Sequence, residues 1–141
     1  MRCAKPYPVG DVEVLVNELT RPYWSEAGRG RLVAARCASC GAFRAPPTPY
    51  CPVCLSGMLE WPVLSGRAEL YSYTVINRSR LPEAPEFYVP AIVTLPDAPG
   101  IRLVTNIATE DIDALAIGLP LQVRFHPLGR ELALPFFVPA S

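Results

Sequence analysis

Alternating apolar and polar residues dominate the second half of the chain. Residues 67–77 form one long run of this kind, with Tyr71, Tyr73 and Val75 on one face. This two-residue period is typical of a β-strand. Further runs of strand-forming residues occupy positions 88–95, 101–107, 121–125 and 131–137. The pattern therefore predicts five strands after residue 66.

Turn-forming residues separate these runs. The sequence Pro96-Asp97-Ala98-Pro99-Gly100 lies between the second and third runs, so we expect these two strands to form a hairpin. Between the third and fourth runs, Thr109 is a good helix N-cap and Gly118 can end a helix. Five strands with a short helix between the third and the fourth are typical of a five-stranded OB-fold barrel.

The first half of the chain predicts shorter elements. A helix is expected to begin at Thr20-Arg21-Pro22, because proline is tolerated in the first helical turn, and to end at Gly28 or Gly30. Such a short helix must pack on another element to be stable. Before it, the alternation of Val12, Val14 and Val16 predicts a short strand or an extended arm.

A Pro-rich stretch flanked by two short predicted strands, 31–36 and 58–64, follows the helix. Ser65-Gly66 marks the change to the strand-rich region. The sequence thus predicts a mainly β protein in three parts. These are an N-terminal arm with a short helix over 1–30, a ribbon over 31–64 and the OB-fold over 65–141.

Two Cys-x-x-Cys pairs lie in the predicted ribbon. Cys37 and Cys40 form the first pair, and Cys51 and Cys54 form the second. Gly41 follows the first pair and can supply the positive φ that such turns often need. Four thiolates at this spacing form the tetrahedral site that zinc prefers, with no position left for water or substrate. The spacing therefore predicts a structural zinc in a rubredoxin-like ribbon.

Two alternatives to zinc remain open at this stage. Four thiolates also bind iron, which would give a red protein and suit an electron carrier. Two disulfides would require an oxidising compartment, which nothing in the sequence indicates. Cys3 is the unpaired fifth cysteine, and we expect an idle thiol there.

Composition and charge narrow the possible locations and partners. The 17 prolines interrupt the chain, and no apolar run approaches the ~18 residues that cross a bilayer. Residues 1–8 lack the apolar stretch of a secretory signal, so we expect a cytoplasmic protein. The formal net charge of zero argues against a nucleic-acid backbone as the main ligand. Residues 27–59 nevertheless carry four arginines and no acid, which would suit a CoA phosphate or an acidic partner.

The residues needed for independent catalysis are scarce. His126 is the only histidine and precedes Pro127 in a predicted turn. Glu83 and Glu86 lie among prolines in a predicted exposed loop. No Gly-rich phosphate loop and no serine nucleophile motif occurs in the sequence. We therefore expect a protein that is not an enzyme by itself.

Aromatic residues in irregular segments are candidates for a partner surface instead. A barrel of this size has limited interior, and aromatic side chains often anchor interfaces, although each of these could also be core. The candidate residues for a partner or acyl-CoA surface are Tyr23, Trp24, Arg44, Phe87, Tyr88, Phe136 and Phe137.

Several short motifs, taken in order, resemble the thiolase-associated family that combines a zinc ribbon with an OB-fold. They cover nearly all of the chain after residue 20. The matching segments are Arg21-Pro22-Tyr23-Trp24, Gly30-Arg31-Leu32, Cys37-x-x-Cys40-Gly41, Pro46-Pro47, Cys51-Pro52-x-Cys54, Ser65-Gly66-x-Ala68, Tyr71-Ser72-Tyr73-Thr74, Tyr88-Val89-Pro90-Ala91-Ile92-Val93, Gly118-x-Pro120-Leu121-x-Val123 and Phe137-Val138-Pro139-Ala140. Ala68 departs from the pattern, since the family usually has a second glycine there.

The resemblance implies a non-catalytic accessory subunit. Members of this family look like partners of thiolase-superfamily aldolases and acyltransferases, including aldolases of steroid side-chain degradation. The expected assembly is a heterotetramer or larger, in which this chain stabilises a thiolase-fold protein and helps to form its acyl-CoA site. The alternative is a module that binds single-stranded nucleic acid, with Tyr71 and Tyr73 as stacking platforms on one strand face.

Overall fold

The computed structural model describes residues 2–6 and 13–140. Its described part is mainly β, with one α-helix, α1 (Arg21–Gly28), and one 3₁₀ helix (Ile112–Ala114). The strands are β1 (Ala4–Lys5), β2 (Ala35–Cys37), β3 (Phe43–Arg44), β4 (Leu59–Glu60), β5 (Arg67–Tyr73), β6 (Ile76–Asn77), β7 (Phe87–Thr94), β8 (Arg102–Ile107), β9 (Pro120–Leu128) and β10 (Leu132–Pro139).

Five long strands close into a barrel. The neighbours run β5, β7, β8, β10, β9 and back to β5. All of these pairs are antiparallel except β8 with β10, where Phe137 lies opposite Ile107 in parallel register. The 3₁₀ helix lies between the third and fourth barrel strands, so the prediction of an OB-fold is confirmed.

The alternation seen in the sequence becomes the inside and the outside of the barrel. In β7 every second residue from Val89 to Val93 is buried, and β10 shows the same alternation. The predicted hairpin is confirmed, because β7 pairs with β8 over six residues. Because only one face of each strand is buried, apolar and polar residues alternate in the sequence, and the strands can be predicted from that pattern. The buried core includes Leu70, Val89, Val93, Ile107, Leu121 and Phe137.

A β-bulge corrects the prediction for the first barrel strand. Leu70 pairs with Val93 and Ser72 pairs with Ile92, so Tyr71 is an extra residue without a pairing position opposite it. An extra residue reverses the alternation of the side chains beyond it. Tyr71 is therefore exposed whereas Tyr73 packs against the core, and the expectation that both lie on one face is wrong. The predicted run also breaks after Tyr73, and β6 forms separately.

The elements before the ribbon agree only in part with prediction. Helix α1 begins and ends where expected, with Pro22 in its first turn, and it packs mainly on β10. The strand expected around Val12, Val14 and Val16 does not appear at residues 13–17, and Val12 lies outside the described residues. The prediction that Thr109 caps the short helix of the barrel is corrected. Asp111 caps this 3₁₀ helix, because its side chain accepts a hydrogen bond from the amide of Asp113.

The ribbon and the barrel share one core. The ribbon sheet has the order β3-β2-β4, and Val33 bridges to Val63 at its open end. Leu32, Ala34 and Leu64 belong to the same cluster of buried side chains as the barrel residues. The two parts are therefore held together by apolar packing as well as by the connecting chain.

No helix in the described part of the chain is both long and apolar enough to cross a lipid bilayer.

Gly66 joins the two parts under a double constraint. It has a positive φ of 87°, and a Cβ at this position would lie 2.5 Å from Val123 Cγ1. We expect Gly66→Ala to lower the free energy of unfolding by about 2–5 kcal/mol, since the left-handed backbone and the overpacking both act against alanine. Denaturant unfolding at constant zinc concentration measures this loss.

Gly100 provides the matched control. It has a similar φ of 92°, but a Cβ there would meet no atom within 4 Å. Gly100→Ala should therefore cost only the backbone contribution of about 1–2 kcal/mol. Equal losses in the two variants would contradict the close packing at Gly66.

Candidate metal centre and partner surface

The two Cys-x-x-Cys turns bring four sulfurs together at one end of the ribbon. Cys37 ends β2, and the turn after it carries Cys40, while Cys51 and Cys54 lie in the facing turn. All four sulfur atoms lie within 4.8 Å of one another. The Cys37–Cys54 and Cys40–Cys51 sulfur pairs are 3.5 and 3.6 Å apart.

These distances fit a tetrahedral metal site. Zinc–sulfur bonds of about 2.3 Å at tetrahedral angles place the sulfurs about 3.8 Å apart. None of the four cysteines forms a disulfide, so all four sulfurs are available to bind a metal ion. Four sulfur ligands complete the coordination shell, so an ion held here would have no position for substrate.

Backbone amides stabilise negative charge on the buried sulfurs. The amide of Cys40 donates to Cys37 Sγ at 3.5 Å, and this bond is the main cause that lowers the pKa of Cys37 to about 6. The amide of Cys54 does most to lower the pKa of Cys51. Amide donors favour the charged form of a thiol, which is the form that binds metal.

Cys54 behaves differently from Cys37 and Cys51, because its neighbours in the cluster favour its protonated thiol. The amide of Ser56 favours the Cys54 thiolate, but hydrogen bonding to Cys37, burial and the other cysteines outweigh it and raise the pKa of Cys54 to about 12. Without a cation, the cluster therefore retains protons at neutral pH. A dication would neutralise the thiolates and displace those protons.

Three of the predicted surface residues lie together. Tyr23, Trp24 and Arg44 all line one cavity between α1, the ribbon and β8. The two rings meet edge to face with centroids 4.9 Å apart, and burial raises the pKa of Tyr23. The sequence indicated this aromatic pair but missed Trp61, Leu103 and Val104, which complete the cavity. These three residues reach the cavity only because the ribbon packs against the barrel, and the local sequence pattern does not predict that packing.

The other predicted surface residues lie elsewhere. Phe87 and Tyr88 begin β7 beside β1 and are half-buried, with the Arg2 guanidinium 5.4 Å from the Phe87 ring centre. Phe136 is half-buried on β10. Phe137 is fully buried in the barrel core, because it occupies one of the inward positions of β10. The prediction that it lies on a partner surface is therefore corrected.

The largest exposed apolar group of the ribbon was not predicted. Tyr50, Val53, Leu55 and Met58 surround the second Cys-x-x-Cys turn, and each is between 66 and 75 % exposed. We call these four residues the ribbon tip. The sequence could have predicted this exposed group, since apolar residues beside a cysteine turn lie in a loop too short to bury them.

Tyr71 and Tyr73 do not form the shared stacking face that the nucleic-acid alternative expects. The Arg102 guanidinium lies 4.1 Å from the Tyr71 ring centre and covers that ring. The Tyr73 hydroxyl donates to the carbonyl of Leu115 at 3.2 Å, on the core side of the strand. The two rings therefore do not form one continuous stacking surface at these positions.

Family models match both parts of the chain. Residues 24–60 match the model described as the ChsH2 rubredoxin-like zinc ribbon domain, and residues 61–126 match the ChsH2 C-terminal OB-fold domain. A DUF35 domain-containing scaffold protein of Methanothermobacter thermautotrophicus is 31% identical over 123 residues, which are 83% of this chain and 88% of that protein. The chain belongs to the ChsH2 family.

Further comparisons extend this ChsH2-type match. A chain of the Ltp2-ChsH2(DUF35) aldolase is 34% identical with a TM-score of 0.80, covering 92% of this chain and all of that one. The probable enoyl-CoA hydratase alpha subunit of Thermomonospora curvata is 38% identical over 84% of this chain, which spans only 37% of that protein's length. A DUF35 protein from Sulfolobus solfataricus shares the fold, with a TM-score of 0.64 at 15% identity over 89% of this chain and 85% of that one.

We expect the purified protein to carry one zinc per chain and to be colourless. Cys51→Ser should lose the metal and unfold more readily, because a fully buried ligand is replaced by a poor one. Lowering the pH should release zinc as protons compete for the thiolates, and raising it should restore binding. Elemental analysis after dialysis at each pH measures the metal content.

Cys3→Ser is the control, since Cys3 is exposed and lies outside the cluster. It should leave the zinc content unchanged. Iron with visible absorption, or full zinc content in Cys51→Ser, would overturn the assignment of the metal.

Proposed function

We propose that this chain is a non-catalytic accessory subunit of a thiolase-superfamily enzyme, an aldolase or an acyltransferase that acts on acyl-CoA. The main support is the alignment with the ChsH2 chain of the Ltp2-ChsH2(DUF35) aldolase, which runs over the whole of that chain. The scaffold name of the Methanothermobacter relative points the same way. Steroid side-chain acyl-CoA is the substrate class that the family resemblance favours.

The metal centre supports a structural role for the chain. In our proposal the four cysteines hold zinc, and the closed set of four sulfurs keeps substrate away from the ion. The zinc would then order the Pro-rich segment between the two turns instead of taking part in chemistry. Bond making and bond breaking would fall to the partner enzyme.

The ribbon tip supports a protein partner. Val53 and Leu55 project from a turn whose geometry the cysteine cluster fixes, and both are more than 70 % exposed. Contiguous exposed apolar side chains at a rigid site are typical of protein interfaces. We infer that the ribbon tip contacts the thiolase-fold partner in the cytoplasm, and that the barrel lies near the shared acyl-CoA site.

Co-expression with a thiolase-like protein from the same genome tests the proposal. We expect the two chains to co-elute in size-exclusion chromatography and the aldolase or acyltransferase activity to fall when this chain is removed. Elution of the two proteins as separate species, with the activity of the enzyme unchanged, would refute the proposed function.

A charge on the ribbon tip should weaken the complex. Val53→Asp places a carboxylate in the proposed apolar contact, and we expect about a tenfold or greater loss of affinity, as for central interface residues. Leu81→Asp is the matched control, because Leu81 is 57 % exposed and lies outside the ribbon, in the loop between β6 and β7. Calorimetric titration of the partner with each variant measures the difference. Equal affinity of the two variants would remove the ribbon tip from the interface.

A further inference from the structure

An apolar cavity lies where the helix, the ribbon and the barrel meet. Its volume is about 330 Å³, near the lower end of small-molecule sites, which span roughly 300–1,000 Å³. Leu32, Ala34 and Leu95 form a buried part of its wall, and Val104, which is 79 % exposed, marks its open side. An apolar space of this size that opens to solvent suits the body of a small molecule.

The charged residues that line this cavity all have one sign. Its lining contains two arginines, Arg44 and Arg102, and no aspartate or glutamate. The guanidinium nitrogens of Arg44 are enclosed by protein, so a ligand in the cavity cannot touch them. Arg102 is exposed, so a ligand can reach it. The cavity therefore offers one accessible charge, a cation at its open side.

The backbone and a neighbouring ring hold Arg102 in place. It begins β8 and pairs with Thr94 of β7. Its guanidinium lies 4.1 Å from the ring centre of Tyr71, which the bulge in β5 turns to the outer face of the barrel. A guanidinium that rests on a ring face keeps its N–H donors available, because they point outward in its own plane.

No carboxylate of the protein uses these donors. The ion pairs formed among the residues that the structure describes do not include Arg102, whereas Arg29, Arg31 and Arg36 each pair with a glutamate. Arg102 is thus a positioned cation beside an apolar cavity, with its hydrogen-bonding capacity unused by acidic side chains.

We propose that this cavity binds a small monocarboxylic acid, with its apolar body between the walls and its carboxylate on Arg102. A carboxylate matches the planar guanidinium with two parallel hydrogen bonds. One accessible cation balances one negative charge, whereas CoA carries several phosphate charges for which the lining has no further accessible cation. Burial of the apolar body supplies most of the affinity, and Arg102 supplies the preference for an anion.

This site is separate from the proposed partner contact at the ribbon tip. It gives the chain a ligand of its own, beyond the accessory role, and binding can be measured without the partner enzyme. The two tryptophans of the sequence, Trp24 and Trp61, both line the cavity. Intrinsic tryptophan fluorescence therefore reports on its occupation without any label.

Titration of the zinc-loaded, full-length chain with octanoate and with octanamide tests the proposal. We expect a saturable change in tryptophan fluorescence with octanoate and a matching calorimetric binding curve. The two ligands share one apolar chain, but a carboxylate is more strongly hydrated, so apolar burial alone would favour octanamide. We expect octanoate to bind about fivefold more tightly, because only the acid can pair with Arg102.

Arg102→Gln removes the charge at an exposed position and keeps a polar side chain. It should weaken octanoate binding about fivefold and leave octanamide binding unchanged. Arg130→Gln is the matched control, because Arg130 is equally an exposed arginine but lies in the turn between β9 and β10 and does not line the cavity. Trp61→Ala should weaken both ligands, since it removes part of the apolar wall and leaves the cation in place.

Three results would overturn the proposal. The first is an absence of octanoate binding at millimolar concentration, or binding no tighter than that of octanamide. The second is equal octanoate affinity of Arg102→Gln and Arg130→Gln. The third is tighter binding of octanoyl-CoA than of octanoate to the chain alone, which would assign the cavity to a thioester. None of these results touches the proposed accessory role, which fails only if the wild-type chain and the thiolase-like protein do not co-elute.

Discussion

The convergence of four cysteine sulfurs sets the geometry of the ribbon. The ribbon has only two-residue and three-residue strands, and the Pro-rich segment between the two turns contains only β3. Four thiolates within 4.8 Å would repel one another, so a cation held by all four would stabilise the ribbon. From this anchor, β3 carries Arg44 inward while the second turn holds the ribbon tip in solvent.

The closed barrel supplies the surface on which the ribbon rests. Closure depends on the parallel contact between β8 and β10, which links strands that are distant in the sequence. Helix α1 then packs on β10 so tightly that a Cβ on Gly28 would lie 2.0 Å from the carbonyl oxygen of Glu131. The cavity exists because these three parts meet there and leave space between them.

Charge is distributed unevenly in the ribbon region. The four arginines appeared alike in the sequence, as ordinary basic residues of a slightly positive segment. In the structure three of them form ion pairs with Glu26 or Glu60, so they contribute little to any external field. Among these four, Arg44 alone is buried without a hydrogen-bond acceptor in the described residues.

Local chemistry allowed the sequence by itself to determine the cluster of four cysteines, the short helix and the order of the barrel strands along the chain. Cysteine spacing, proline position and two-residue alternation are local signals. The structure agrees with them in the cysteine cluster, at Pro22 in the first turn of α1 and in the alternating burial of β7. The bulge at Tyr71, the burial of Phe137 and the isolation of Arg44 were decided by the tertiary structure. Each of these depends on which strand or side chain lies opposite, and contacts between residues far apart in the chain leave no periodic trace in the sequence.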